Sequence, residues 1–259
     1  MPFQDYPYER PDLEKIKAQF DTLLTRLEAA TSASAMIPVM DEYYALNDHV
    51  DTQSTLASIR HSIDTKDAFY DQEQAFFDRE SPALGTYQKR FATILLKTPY
   101  QADLRAHYGD LLFDQLALSE KTFDDVIIED LQKENALVTE YGKLTASAEI
   151  DFDGKTLNLS QMAPYMQSKD RATRKSAQEK VAAFFEANEE TFDRIYDDLV
   201  KVRVKMAEKL GFSSFIELAY ARLGRTDYTA ADVKTYRDQI YESVVPLVAK
   251  LMDKKANRL

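Results

Sequence analysis

The side chains best suited to hold a metal or move a proton near neutral pH are the three histidines, His49, His61 and His107. Their spacing denies them a common site. A zinc helix needs two histidines at i and i+4, as in His-Glu-x-x-His, and no such pair occurs. His61 stands between Arg60 and Ser62 with Asp64 nearby, which suggests a serine-histidine-aspartate triad. Neighbours on one helix do not face one another as a triad must, so a hydrogen-bonding role fits His61 better. Zero cysteines remove thiolate ligands and thiol nucleophiles. Neither a glycine-rich phosphate loop nor a Gly-x-Ser-x-Gly elbow is present. The acidic pairs Asp124-Asp125 and Asp197-Asp198 suit a solvated helix rather than acid/base catalysis. Glu149, Asp151, Asp153 and Gly154 mimic the start of a calcium loop, but its last position is Ser160 instead of a bidentate glutamate. No catalytic or metal-binding residue is therefore assigned.

Binding groups are easier to place. The phrase Leu223-Gly224-Arg225-Thr226-Asp227-Tyr228 compresses a glycine, two opposite charges and a phenol into a connection between two predicted helices. Loops on a rigid scaffold are where binding groups collect. Arg225 suits a peptide carboxylate or carbonyl, and Tyr228 suits stacking or hydrogen-bond donation. The alternative is structural: Gly224 ends the first helix, Arg225 and Asp227 anchor the turn by backbone hydrogen bonds or a mutual ion pair, and Tyr228 packs ahead of a cap at Thr229.

These residues must be carried by helices. The 259-residue chain has only 6 glycines and 8 prolines, with 44% hydrophobic residues including 14 Phe and 15 Tyr, enough for a sizeable core. Apolar residues at Leu13, Ile16, Phe20, Leu23, Leu24 and Leu27 follow a helical step behind Pro11 and Asp12. Further helices are expected near 35–50, 52–63, 67–97, 100–118, 123–145, 170–210, 213–222 and 229–258. Thr122 with Asp125, Ser214 with Glu217 and Thr229 with Asp232 have capping-box spacing. Phe185, Phe192, Leu199 and Met206 recur every seven residues, as in a helix packed along one seam. Ile150, Phe152, Leu157 and Leu159 alternate with polar residues around Asp153-Gly154, which predicts a β-hairpin with a type I′ turn near 148–159.

The formal charge is −11, which opposes a nucleic-acid partner. It is uneven: residues 1–200 carry 21 basic and 37 acidic side chains, residues 201–259 carry 12 and 7. Such asymmetry suits parts that face each other or a further part. No basic, apolar leader opens the chain and no stretch reaches the roughly 18 apolar residues of a membrane span, so no membrane partner and a cytoplasmic location are expected.

Seven phrases occur in a characteristic order: Tyr8 to Glu14, Ile59 to Thr65, Ile128 to Gln132, Phe152 to Lys155, Leu159-Ser160-Gln161 with Pro164 to Arg171, Arg174-Lys175, and Leu223 to Tyr228. In that order the sequence resembles the oligoendopeptidase F branch of the thimet-oligopeptidase-like zinc metallopeptidases over nearly its whole length. The resemblance implies a mainly α protein, the multi-helix N-terminal half of a clam-like enzyme whose two halves enclose a channel. In such enzymes the zinc helix, a third glutamate ligand and transition-state-stabilising His and Tyr residues lie in the later half, and none of these falls on a position here.

Two functions follow as expectations. One is the channel-wall half of a cytoplasmic zinc oligoendopeptidase that hydrolyses short peptides. On this reading residues 1–120 form an N-terminal helical region, and residues 121–259 form a helical region with a hairpin, continuous with a missing catalytic half. The chain itself carries no cofactor and is inactive alone. Its partners are oligopeptides and that missing half, and apolar residues Val244, Val245, Leu247, Val248 and Leu251 are left exposed and able to self-associate. The other function is a non-catalytic helical binding or regulatory protein on the same scaffold.

Overall fold

Asp12 takes an extended backbone and accepts a hydrogen bond from the Lys15 amide, so α1 (Leu13–Glu28) starts where a side chain can satisfy a free amide. The apolar stripe foreseen along it is wholly buried, with Leu24 fully inaccessible. A computed structural model describes residues 2–258. After α1 come α2 (Ala33–Ile63), α3 (Ala68–Glu80), α4 (Gly85–Lys97), α5 (Gln101–Tyr108), α6 (Asp110–Thr122) and α7 (Ile128–Ala146). A hairpin of β1 (Ile150–Phe152) and β2 (Lys155–Leu157) precedes α8 (Leu159–Met166), α9 (Arg171–Ala187), α10 (Glu189–Lys209), α11 (Phe215–Arg222), α12 (Ala230–Gln239) and α13 (Val245–Ala256).

Several expected helices have different limits, each for a local reason. The helices expected over 35–50 and 52–63 are one, α2, which runs unbroken through Asp51 and has Pro38 inside its second turn. The helix expected over 67–97 is interrupted by a 3-10 turn, Ser81–Leu84, that contains Pro82. The next, over 100–118, breaks at Gly109, whose φ of 86° leaves the helical region. Asn188 likewise divides the expected 170–210 helix, so the sevenfold seam spans two helices. Between α12 and α13 the backbone widens to a π-turn, Ile240–Val244, just ahead of Pro246, whose missing N–H breaks the i→i−4 ladder. Of the three capping boxes, only Thr229 with Asp232 forms. Asp124, not Thr122, caps the turn before α7, and Ser214 makes no side-chain cap bond. Asn158 with Gln161 forms a box that the Ser/Thr pattern overlooks.

The main core joins α1, α2, α4, α5 and α6 around Leu24, Met40, Leu95, Leu104 and Phe113. Tyr43 stacks on Phe91 at 3.9 Å between ring centres. A second cluster, Ile127, Met206, Ala207 and Leu218, packs the start of α7 against α10 and α11. The third lies under the hairpin, where Ile150 and Leu157 meet Met162 and Ala177. The hairpin is antiparallel in the register Ile150 with Leu157, and Asp153 (φ 53°) and Gly154 (φ 70°) make the positive-φ turn that Asp-Gly predicts.

Charge is buried where α7 meets its neighbours. Asp130 and Glu134 are nearly inaccessible, one turn apart on α7. Asp130 accepts from Lys205 Nζ at 2.7 Å and Lys209 Nζ at 2.5 Å. Burial pushes its carboxyl pKa up, but the two lysine hydrogen bonds outweigh burial and hold it below the ordinary carboxylate range. Glu134 accepts from Arg203 Nε at 2.6 Å and Arg222 at 3.0 Å. The two arginines are about a third exposed whereas Glu134 is not, so the pair responds unequally to loss of either side. Removing both arginines strands a buried carboxylate and costs about 3–5 kcal/mol. Glu134→Gln leaves cations that water can serve, and costs about 1–2 kcal/mol. Urea unfolding of Glu134→Gln beside the Arg203→Ala/Arg222→Ala double variant checks this; the reverse ordering is incompatible with it.

Candidate functional site

The histidines do not converge. His49 and His107 are exposed on separate helices, and His107 packs edge-on to Tyr108. His61 is buried near the end of α2, its Nε2 3.4 Å from Asp71 Oδ1 without hydrogen-bond geometry. Asp71 is instead taken by Lys143 of α7 at 2.7 Å. Ser62, the nearest hydroxyl in sequence, donates to the Ser58 carbonyl, so no triad assembles. Among the described residues no group of three or more His, Asp or Glu side chains is placed to hold a metal ion. A zinc ion of the kind the sequence resemblance implies does not fit this donor set.

What the fold presents is surface. A cleft of about 660 Å³ runs between the end of α2, the exposed side of α7 and the start of α8. Its walls mix Ser62, Lys66, Thr145 and Ser160 with exposed Ile63 and Tyr141. Lys66 is fixed there by Glu149, ahead of β1, at 2.7 Å. The hairpin above it is packed, with Phe152 edge-on to Tyr165 at 5.0 Å and the Tyr165 hydroxyl donating to Asp153 at 3.0 Å.

Arg225 and Tyr228 meet in the connection between α11 and α12. Gly224 takes φ 64° and its N–H bonds the Ala221 carbonyl at 3.0 Å, while the Arg225 N–H reaches the Tyr220 carbonyl at 3.5 Å. This pair of bonds is a Schellman motif, which folds the residue after the glycine back over the third residue from the helix end. Arg225 is thereby laid on Tyr220, its guanidinium carbon 4.4 Å from that ring centre and 5.3 Å from the Tyr228 ring. The turn is closed by its backbone bonds, and the guanidinium stacks beside it. No Arg225–Asp227 ion pair forms among the described residues, in contrast to Arg222, which is committed to Glu134. Tyr220 is the member that sequence reading missed; the spacing of Tyr220, Gly224 and Arg225 in a glycine-terminated helix is the signal that reveals it.

The C-terminal segment is the other open feature. From Ala230 to Ala256 no residue is buried, over a helical length of roughly 40 Å. Leu247, Leu251 and Met252 are each more than half exposed, beside Val244, Val245 and Val248.

The Peptidase M3 N-terminal domain family matches residues 3–123. No curated protein matches the chain. Among solved structures, oligoendopeptidase F from Bacillus anthracis str. Ames is 42% identical with a TM-score of 0.96, covering 98% of this chain and 47% of that one. Pz peptidase A, solved with an inhibitor, is also 42% identical with a TM-score of 0.96, over 99% of this chain and 46% of that one. A further oligoendopeptidase F structure is 43% identical with a TM-score of 0.97, over 100% of this chain and 46% of its own. The chain thus spans about half the length of the structures it matches.

The turn geometry separates two substitutions. A side chain at Gly224 meets no atom within 4 Å, so Gly224→Ala costs only its left-handed backbone, about 1–2 kcal/mol. Arg225→Ala removes stacking at a half-exposed site and costs about 0.5–1 kcal/mol. Thermal unfolding should therefore show the larger fall for Gly224→Ala, and a larger fall for Arg225→Ala would mean that the guanidinium anchors the turn. Matched along its whole length to those folds, the chain belongs to the oligoendopeptidase F branch of the M3 peptidases and has the fold of their N-terminal half.

Proposed function

We propose that this chain is the channel-wall part of a cytoplasmic zinc-dependent oligoendopeptidase that hydrolyses short peptides, with the metal and catalytic groups supplied by the other half of the enzyme. The observation that carries the reading is the match at 42–43% identity over 98–100% of this chain, to proteins about twice as long that are described as peptidases. Its chemistry agrees. Peptide hydrolysis by zinc requires three protein ligands and one open position, and the donors here are too scattered to supply them. What remains for this half is to bound the substrate space, exclude folded proteins and hold an extended backbone. The mixed polar and apolar cleft beside α7 suits that task. A cysteine-free sequence suits a reducing compartment.

The arm of α12 and α13 supports the same reading. An apolar row this long on a soluble scaffold needs a cover, and in the intact enzyme that cover is the catalytic half. The arm itself carries five basic and four acidic side chains between Ala230 and Ala256, so its cover is called for by apolar surface rather than by charge.

Two outcomes are expected of the purified chain. After dialysis it retains less than stoichiometric zinc and leaves a quenched fluorescent peptide uncleaved; one tightly held zinc with chelator-sensitive turnover would return the chemistry to this half. In sedimentation it associates as concentration rises, and Leu247→Asp with Leu251→Asp shifts it to monomer at unchanged helical content. A wild-type chain that stays monomeric at high concentration counts against the arm as a docking face.

A further inference from the structure

Arg225 rests on its turn without closing it. Its turn is closed without it, since Gly224 and the two backbone bonds of the Schellman motif satisfy the end of α11. The guanidinium carbon lies over the Tyr220 and Tyr228 rings, contacts that use none of its five N–H donors as hydrogen bonds to oxygen. No carboxylate among the described residues takes those donors: Asp227 is not paired with them, and Asp232, the next acid, is engaged by Thr229. A planar, preordered fork of donors without an acid matches one ligand chemistry above others, the carboxylate, which it grips by two parallel hydrogen bonds. Tyr228 is 42% exposed and its ring borders the guanidinium.

Resting on the peptidase reading above, we propose that Arg225, held between Tyr220 and Tyr228, docks the C-terminal carboxylate of the oligopeptide. Such a contact would set where a short peptide ends relative to the catalytic half. It would also favour peptides with a free C-terminus over longer chains that continue past it. Tyr220 and Tyr228 are positioning residues in this scheme; the bond to the ligand is made by Arg225 alone.

Nuclear magnetic resonance on the ¹⁵N-labelled chain tests the proposal without needing turnover. Three ligands are titrated: N-acetyl tetra-alanine with a free carboxylate, the same peptide as its C-terminal amide, and an amidated tetrapeptide with one internal glutamate. The Arg225 Nε–Hε signal should move saturably with the free acid, about tenfold more tightly than with either amidated peptide. Arg225→Lys, which keeps the charge but loses the fork, should weaken the free acid at least about fivefold at an unchanged melting temperature. Tyr228→Ala should weaken it as well, by releasing the guanidinium. Equal movement with the plain amide, or with the internal glutamate, overturns a C-terminal carboxylate. Shifts in the cleft beside α7 with Arg225 unmoved overturn the inference and leave the channel-wall reading standing. A chain on which no residue responds to any of the peptides overturns both.

Discussion

The structure depends on two carboxylates that the fold buries on one face of α7. Asp130 and Glu134 are out of water, and each is satisfied by two cations, Lys205 and Lys209 for the first, Arg203 and Arg222 for the second. Burying ion pairs gains little over apolar packing, but mispairing them is expensive. Another register of α10 would strand a charge, and a detached α11 would leave Glu134 with one cation instead of two. The opposite side of α7 is tied to the N-terminal bundle by polar bonds of the same kind: Lys143 to Asp71, Thr139 to Asp78, Asn135 to the Asp78 carbonyl and Gln132 to the Arg79 carbonyl. One helix thus fixes the bundle, the α10–α11 layer and, through the α7–β1 connection, the hairpin. The cleft along α7 inherits that rigidity.

A second buried carboxylate system repeats the logic at the N-terminus. Glu73 of α3 accepts from Arg10 and from the Tyr8 hydroxyl, which clamps the extended leader onto the bundle. The Arg10 hydrogen bonds draw the Glu73 carboxyl below its usual range in spite of burial, so the clamp is ionic at neutral pH. The contrast with the other end of the chain is physical. There no carboxylate is buried, no apolar residue is covered, and the helix opens into a π-turn before Pro246. Residues that elsewhere would be core, such as Val245, Leu247 and Leu251, stand in solvent. Buried charge and buried apolar surface thus both stop short of the last two helices.

Helices and the hairpin were readable because their signals are local. The period of Leu13 to Leu27 and the Asp153-Gly154 turn need no tertiary information, and the structure has both. Breaks were less readable, because Gly109, Pro82 and Asn188 sit in windows whose apolar period continues across them. Capping by Asp124 in place of Thr122 was hidden because it turns on which residue is extended, and that depends on how α7 docks. The buried charges could not be read at all. In sequence Asp130 and Glu134 look like any acids on a solvated helix, and their partners lie 69 to 88 residues away. Arg225 and Tyr228 were found for their residue types, but the contact that organises them is with Tyr220, and it is made by a backbone motif.

A group contributes to substrate choice only if its donors are not already spent at home and its position does not have to be ordered at binding. The guanidinium of Arg222 fails the first condition, since Glu134 holds it. Lys254 and Lys255, on the exposed arm, fail the second, because nothing in the fold restrains their side chains. Arg225 meets both: two tyrosines restrict it, no acid consumes it, and the glycine turn beneath it closes on the backbone alone. The same separation of duties explains why the loop can lie beside the unpaired arm without being part of its apolar face. Closing the end of α11 and holding the guanidinium fall to different atoms of one short turn, so each can be altered while the other stands.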